Sequence, residues 1–339
     1  MHARNTISSL VVGSLLMGAC QIAVSAENNE LAVPMGIWGL DSAILPLSGV
    51  YGQVVLPSYR ATSVKDAHGN DMTFSKTVPG VPVTVRGTVD ARIQVDAVVP
   101  KLIYVSEEPI LGGRYGGYIA VPLLDKSRKI TINVSTPLSQ PAKQQIGQAA
   151  SHAASGDKSG LGDIELAGFI GWKFENLSVV AAMNLDLPTG SFDAKSMVNL
   201  GNNYYSFRPL VSAAWSTESG FDVAASFAYN VSTANRDTSY KSGQYVHLEY
   251  VGTYQFNNNF KAGLQGYYLS QITDDKDPKS SSSLPIVNGN RARVTALGPV
   301  MSYQTDDLKT QVELKYLREM SARARPEGDL ALITLSRLF

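Results

Sequence analysis

The chain has 339 residues and carries 29 basic and 29 acidic side chains, so its formal net charge is zero. Such a balance gives no indication of a nucleic-acid partner. Mean hydropathy is close to zero, and after the N-terminal region the sequence contains no apolar run of about 18 residues, which excludes a helical membrane protein.

Residues 1–26 have the pattern of a secretory signal peptide. Arg4 supplies a positive charge, residues 7–17 are apolar, and the small residues before Glu27 predict cleavage after Ala26. Cleavage removes Arg4 as the only charged side chain and leaves 28 basic against 29 acidic residues, a net charge of −1. The sequence therefore predicts an exported bacterial protein.

The single cysteine, Cys20, lies within this predicted signal. In the simpler interpretation Cys20 is removed with the signal, and the mature protein has neither thiols nor disulfides. In the alternative, residues 17–20 form a lipobox and Cys20 becomes a lipidated N-terminus. Simple removal is favoured because Met17 is a poor residue at the lipobox position that it would occupy.

Residues 27–48 are mostly apolar and contain Pro34 and Pro46. Proline has no backbone N–H to donate to a neighbouring strand, so this stretch does not have the pattern of a sheet strand. It is either a strap at the periplasmic rim of the domain that follows, or a plug that enters the interior of that domain.

From residue 49 onward, apolar and polar side chains alternate in segments of strand length. Twelve strands are predicted, with ten or fourteen also compatible, since the second and third segments are long enough to contain a bulge or an extra turn. The segments cover residues 49–63, 82–104, 113–136, 161–175, 177–187, 204–216, 221–232, 244–256, 260–273, 291–304, 308–319 and 329–339.

The alternation is most regular over residues 83–97, where odd positions are apolar and even positions include Arg86, Asp90 and Arg92. Because the side chains of a strand alternate between two faces, the apolar face is predicted to meet hydrocarbon and the charged face a wet lumen. The same reasoning predicts that later segments direct a set of polar side chains inward: Asp186, Arg208, His247, Glu249, Glu313 and Lys315.

Between the third and fourth segments lies a stretch of different composition. Residues 140–160 are rich in Gln, Ala, Ser and Gly. This composition predicts a long, mobile outer loop, which can include one helical turn over residues 142–154.

From residue 160 the connections between strands alternate in length. Short ones cover residues 175–176, 217–220, 256–260 and 305–307, and long ones cover residues 189–203, 232–243, 273–290 and 321–328. A transmembrane barrel has this alternation because its periplasmic turns are tight and its outer loops are long, and aromatic residues near the strand ends match its interfacial girdles. The predicted fold class is therefore all-β, an antiparallel up-and-down transmembrane β-barrel over residues 49–339 in the bacterial outer membrane.

An even number of strands places both termini on the periplasmic side. The last segment ends at Phe339, where the barrel-assembly machinery is expected to bind. Ala331, Ile333 and Leu335 share its outward face, and Arg337 interrupts the pattern, which is explained if its side chain reaches the periplasmic headgroups.

A series of short motifs adds a family resemblance. In order and spacing they resemble those of the phenol-degradation meta-pathway family of outer-membrane proteins, over nearly the whole mature chain. The motifs are Leu45-Pro46-Leu47-Ser48-Gly49-Val50-Tyr51, Asp66-Ala67-His68-Gly69-Asn70, Gly160-Leu161-Gly162-Asp163-Ile164, Leu187-Pro188-Thr189-Gly190-Ser191-Phe192-Asp193, Val198-Asn199-Leu200-Gly201-Asn202-Asn203-Tyr204-Tyr205, Thr238-Ser239-Tyr240-Lys241-Ser242-Gly243, Gly266-Tyr267-Tyr268, Asp274-Asp275, Leu297-Gly298-Pro299 and Arg325-Pro326-Glu327-Gly328.

The resemblance implies a transporter of aromatic or other small organic molecules, with no proven binding residues. One turn departs from the family pattern, since Leu47-Ser48-Gly49 stands where Pro-Pro-Gly is usual. The expected partners are outer-membrane lipid and a small organic solute. The alternative is a structural or surface-interaction barrel, whose outer loops would bind partners.

Enzymatic chemistry has little support in the sequence. His68, His152 and His247 are the histidines after the signal, and His247 and Glu249 share one strand face. A hydrolase would need a nucleophilic serine beside them, and no motif identifies one. No Cys/His cluster occurs, and residues 274–277 lack the glycine and terminal glutamate of a calcium loop, so neither a metal nor another cofactor is expected.

The predicted lumen contains inward charges of both signs. These charges either neutralise one another in a salt-bridged network or form a constriction that sorts solutes by charge, and both can hold at once. A barrel of about twelve strands has a narrow or occluded pore. Four inward side chains interrupt the polar face and predict an apolar path for an aromatic solute: Phe169, Tyr245, Tyr267 and Leu269.

Overall fold

A computed structural model describes residues 35–77, 84–276, 278 and 291–339. The predicted signal peptide (residues 1–26), Cys20 and the cleavage site after Ala26 lie outside the described residues. Two helices occur in the described part, a 3-10 helix at Leu40–Ser42 and α1 at Gln140–Ala153. None of the helices described is long and apolar enough to cross a membrane.

The strands that the structure describes are β1 (Gly49–Lys65), β2 (Thr73–Thr77), β3 (Thr84–Ile110), β4 (Gly113–Ala120), β5 (Leu123–Val134), β6 (Gly156–Leu161), β7 (Ile164–Phe174), β8 (Leu177–Leu187), β9 (Ser206–Ser216), β10 (Phe221–Ser232), β11 (Tyr245–Gln255), β12 (Phe260–Gln271), β13 (Arg293–Gln304), β14 (Thr310–Arg323) and β15 (Arg325–Leu338). Strand boundaries from the alternation agree with these to within a few residues in most segments.

The sheet closes into a barrel through its first strand. One edge of β1 pairs with β15, with Tyr51 opposite Leu338, and the other edge pairs with β3, with Gly49 opposite Val105. The closed ring consists of β1, β3, β4 and β7–β15, twelve antiparallel strands. Closure leaves the ring without a free strand edge, and it confirms the predicted barrel of twelve strands.

The two faces of the wall follow the period of two in the sequence. In β9 the side chains of Arg208 and Ser212 are buried inside, whereas Val211 between them points outward and is exposed. Exposed aromatic side chains lie beside the short turns, among them Phe174, Trp215, Phe221 and Phe256. The outer surface therefore has the apolar band and aromatic girdle of a lipid-facing wall.

The predicted faces of residues 83–97 are wrong. The apolar face, including Val85 and Val89, is buried, and Arg86, Asp90 and Arg92 on the opposite face are exposed. The reason is that this half of β3 belongs to an extension beyond the ring, where it pairs with β2 and β5. Its apolar side chains pack in an inner cluster instead of meeting lipid.

The mobile loop predicted over residues 140–160 is instead a helix followed by a strand, and the helix is longer than the single turn predicted within residues 142–154. The helix α1 begins with Pro141 in its first turn, where a missing N–H costs nothing, and its Ile146 and Ala150 are buried. Ser151 accepts a hydrogen bond from the backbone N–H of Ile132 in β5, at 2.8 Å. The helix therefore covers the inner side of the extension, and β6 follows it.

The predicted alternation of connections is confirmed at most positions. Residues 321–328 are the exception, because they are not a long loop. Strands β14 and β15 continue beyond the residues that pair them with each other. There β14 pairs with β13, with Arg323 opposite Arg293, and β15 pairs with β1, with Arg325 opposite Lys65. We call the two ends of the barrel the short-turn end and the long-loop end, and the short-turn end corresponds to the periplasmic side of bacterial barrels.

Candidate functional site

The described residues before β1 lie largely inside the barrel. We call residues 35–48 the N-terminal segment. Gly36 has a positive φ of 79°, and a Cβ at this position would lie 2.6 Å from the Leu317 side chain of β14. A glycine is therefore required where the segment turns against the wall.

Side chains of the wall hold the backbone of the N-terminal segment. The N–H of Gly36 donates to Glu249 Oε1 at 2.9 Å, and Gln265 Nε2 donates to the carbonyls of Gly36 and Trp38 at 3.0 and 2.6 Å. Lys315 Nζ donates to the carbonyl of Ile37 at 3.1 Å. Because an irregular backbone inside a protein needs hydrogen-bond partners, these inward polar side chains fix the segment in the lumen.

Trp38 is the aromatic anchor of the segment. Its ring stacks on that of His247, with centroids 4.4 Å apart, and the Arg208 guanidinium lies 5.4 Å from the indole centroid. A cation over an aromatic ring is attracted by the negative charge of the ring face. Both His247 ring nitrogens are buried, and neither has a hydrogen-bond partner in the described part of the chain.

Most inward charges are paired. Arg208, which is fully buried, forms ion pairs with Glu165 and with Asp186, the latter at 3.4 Å. Glu165 also accepts a hydrogen bond from the Tyr118 hydroxyl. On the other side of the lumen Lys315 pairs with Glu313 at 2.8 Å. The attraction within such pairs is stronger than in water because the surroundings have a low dielectric constant, so these pairs link neighbouring wall strands inside the lumen.

A second network lies towards the long-loop end. Glu319 forms an ion pair with Arg325 at 2.7 Å and accepts hydrogen bonds from the hydroxyls of Tyr59 and Tyr267 at 2.7 and 2.8 Å. The backbone N–H of Gly328 also donates to Glu319, at 2.9 Å. These contacts connect β1, β12, β14 and β15 across the interior.

The N-terminal segment separates two cavities. The outer cavity, towards the long-loop end, has a volume of about 310 Å³, and the inner cavity, towards the short-turn end, has a volume of about 190 Å³. Ile37 and Trp38 of the segment line both of them, as does Lys101 of β3. The lining of both cavities is mostly apolar, with a few polar groups, as is typical of sites for small organic ligands.

One acidic residue of the outer cavity lies in a connection, between β6 and β7. Asp163 accepts hydrogen bonds from the backbone N–H groups of Gly190 and Asn202, at 2.9 and 2.8 Å. Burial raises the pKa of the Asp163 carboxyl group, and these hydrogen bonds act in the opposite direction. Asp163 thereby fixes the connection between β8 and β9 against the outer cavity.

The structure places most of the predicted lumen residues inside the barrel and buried: Asp186, Arg208, His247, Glu249, Glu313 and Lys315. Arg86, Asp90 and Arg92 lie outside the lumen, on the exposed face of the extension. The predicted apolar path is divided, because Tyr267 lines the outer cavity and Phe169 the inner one. Tyr245 and Leu269 are buried in an apolar cluster and line neither cavity.

Lys101 was not among the predicted lumen residues. The prediction directs the odd positions of residues 83–97 towards the lipid, and the same pattern continued along β3 directs the Lys101 side chain outward. The structure has the two faces of β3 the other way round, so Lys101 lies in the lumen. A signal was present in the sequence, because a lysine on a supposed lipid face is costly in a membrane barrel. It could have been used to choose between the two faces.

Comparison with known proteins agrees with this architecture. The family described as "Putative MetA-pathway of phenol degradation" matches residues 63–335. No curated protein matches the chain. Among solved structures, an outer membrane channel from Pseudomonas putida F1 is similar at 15% identity and a TM-score of 0.68, and the match covers 91% of this chain and 100% of that one.

Two autotransporter barrels are similar at lower scores. The β domain of the Bordetella autotransporter BrkA has 7% identity and a TM-score of 0.49, covering 86% of this chain and 100% of that one. The translocator domain of NalP from Neisseria meningitidis has 7% identity and a TM-score of 0.43, covering 88% and 92%. At these identities, the likeness to the Pseudomonas channel supports the barrel fold.

Proposed function

The chain belongs to the phenol-degradation family that matches its residues 63–335, and from this premise we propose that it is an outer-membrane channel for small organic, mainly aromatic, compounds. Solutes pass without energy input, down their concentration gradient. The observation that carries the proposal is the pair of mostly apolar cavities, stacked along the lumen and separated by the N-terminal segment. A hydrophilic pore would instead have a continuous polar path.

The N-terminal segment acts in this proposal as a plug that must shift before a solute can pass. Ile37 and Trp38 lie between the two cavities, so a solute that fills one of them meets the segment on its way to the other. The segment is held by side-chain hydrogen bonds, by one stacked ring pair and by the apolar packing of Met35 and Ala43, and it has no strand pairing. Because it takes no part in the backbone ladder of the sheet, the segment can shift without breaking strand pairing.

Uptake by whole cells tests the proposal. The protein is produced in a porin-deficient Gram-negative strain, and uptake of labelled aromatic compounds is measured at limiting concentration, with a labelled pentose as control. We expect faster aromatic uptake that persists after the membrane potential is dissipated, and unchanged pentose uptake. Equal aromatic uptake with and without the protein would contradict the proposal.

A structural or surface-interaction role is the second candidate. The extension beyond the ring, built from β2, β5, β6 and α1, presents the exposed face of β3 to solvent. A partner bound there would recognise alternating charges, since Arg86, Asp90 and Arg92 lie in a row. Deletion of residues 140–153 that abolishes complex formation and leaves uptake intact would favour this role.

A hydrolase is the least supported function. His247 and Glu249 are buried side by side in β11, but His247 stacks between Trp38 and Tyr245 instead of facing a serine. General-base catalysis needs a hydrogen bond from the nucleophile to the imidazole. We expect a His247→Ala variant to leave lipid turnover unchanged, whereas a loss of turnover would revive the enzymatic alternative.

A further inference from the structure

Among the residues that the structure describes, Lys101 is the one lysine or arginine that lines both cavities. Its side chain projects from β3 at the height of the N-terminal segment. Its ammonium nitrogen lies 4.8 Å from the centroid of the Tyr118 ring. Among the described residues it has no ion pair within 4.0 Å and no hydrogen bond.

The charged side chains near Lys101 already form ion pairs or hydrogen bonds with other residues. Glu165, which lines the outer cavity with Lys101, is bound by Arg208 and by the Tyr118 hydroxyl. Arg325 is paired with Glu319, and Lys126 donates to the carbonyl of Asn199 at 2.9 Å. A cation in such a wall is costly unless an anion or water stabilises it. Lys101 therefore has capacity for an anionic group that enters the lumen.

Apart from these paired charges, the side chains around Lys101 are mostly apolar on both sides of the N-terminal segment. Val99 and Ala120 line the outer cavity, and Ile103 and Phe169 line the inner one. A volume of about 310 Å³ is at the lower end of the range for small-molecule sites, which is roughly 300–1,000 Å³. The ligand that fits has a small apolar body and one compact negative group.

We propose that Lys101 binds the carboxylate of a small apolar acid at the junction of the two cavities, with the apolar body of the acid in the outer cavity. This inference deepens the proposed function and rests on it for the role of the acid as a permeant. The ammonium group donates to the carboxylate, and the Tyr118 ring helps to hold the ammonium group in place. The site thereby distinguishes acids from neutral compounds of the same shape.

Calorimetric titration of the full mature protein in detergent tests the site. Benzoate is the anionic probe, and benzamide is a neutral probe of nearly the same shape. The variants are Lys101→Met and Lys101→Gln, which remove the charge, and Lys101→Arg, which keeps it. Lys195→Met removes a positive charge from an exposed connection and is the control. Heat-modifiable migration on a gel confirms that each variant forms the barrel.

We expect the wild-type protein to bind benzoate more tightly than benzamide, and both neutral variants to bind benzoate about tenfold more weakly, because a charge-assisted hydrogen bond is lost. Lys101→Arg and Lys195→Met should retain benzoate binding. Unchanged benzoate affinity in both neutral variants overturns the proposal. So does an equal loss for benzamide, which would show that Lys101 shapes the cavity without binding the anion.

Uptake experiments separate this inference from the proposed function. Lys101-dependent binding of benzoate without any uptake of aromatic compounds supports the site and overturns the channel. Uptake of neutral aromatic compounds without Lys101-dependent binding of benzoate supports the channel and overturns the site. When binding and uptake are both measured, failure of the binding site can therefore be distinguished from failure of the proposed channel.

Discussion

The indole of Trp38 and the imidazole of His247 are stacked, with ring centroids 4.4 Å apart and planes inclined by 24°. Trp38 belongs to the N-terminal segment and His247 to the wall strand β11. The contact therefore joins a segment without strand pairing to the rigid barrel at the level where the two cavities meet. It covers the ring face of a buried histidine whose nitrogens have no hydrogen-bond partner in the described residues.

A disulfide between the N-terminal segment and the wall should block passage. Ser42 of the segment and Ser226 of β10 share a hydrogen bond with their oxygens 2.8 Å apart, so cysteines at these positions are expected to form a bond. We expect the oxidised Ser42→Cys/Ser226→Cys protein to lose most of its aromatic uptake and to regain it after reduction. Each single cysteine variant is a control, and undiminished uptake with the disulfide formed would show that solutes pass beside the segment.

Loss of the Arg208 charge should destabilise the barrel. An Arg208→Met variant leaves Glu165 and Asp186 buried without their cation, and breaking a buried pair in this way costs about 3–5 kcal/mol. The matched control is Arg60→Met, because Arg60 pairs with Asp96 at 2.7 Å while their side chains are 41% and 46% exposed. The control should cost less than about 1 kcal/mol. Urea unfolding in lipid vesicles gives the free energy of unfolding of each variant. Equal losses in the two variants would contradict the conclusion that Arg208 stabilises the barrel through buried ion pairs.

The fold could be predicted from the sequence because a lipid-facing strand has a strict period of two. The segments 177–187 and 221–232 match β8 and β10 without error. The faces of β3 could not be assigned by the same rule, since an apolar face packs equally well against lipid or against an inner cluster. Only one turn of helix α1 was predicted, because its polar composition resembles a loop and its stability depends on burying Ile146 and Ala150 against strands distant in the sequence.

The candidate site was less predictable than the fold. Arg208 and Glu249 were assigned to the interior from the alternation of β9 and β11, and both are buried there. Their partners could not be predicted, because Arg208 meets Glu165 from another strand and Glu249 accepts a hydrogen bond from Gly36 in the N-terminal segment. The sequence is compatible with either a strap or a plug for that segment. Only contacts between residues far apart in the chain distinguish these two interpretations.

The mature N-terminus is a further prediction. Cleavage after Ala26 would give a chain that starts at Glu27 and has no cysteine. Intact-mass measurement of the protein purified from outer membranes should show this chain without a lipid. A mass that corresponds to a diacylated or triacylated Cys20 would instead establish the lipobox alternative, and it would place a lipid anchor ahead of the N-terminal segment.

Weakening the attachment of the N-terminal segment should open the lumen. Gln265 donates to the carbonyls of Gly36 and Trp38, so a Gln265→Met variant removes two hydrogen bonds while it keeps the side-chain length. Each lost bond destabilises the attached position by about 1 kcal/mol, which increases the population of the displaced segment several-fold. We expect more frequent or larger openings in planar bilayers.

Gln94→Met changes a glutamine of the outer cavity that has no hydrogen bond to the segment, and it should leave conductance unchanged. Equal conductance of both variants would show that Gln265 does not hold the segment in place.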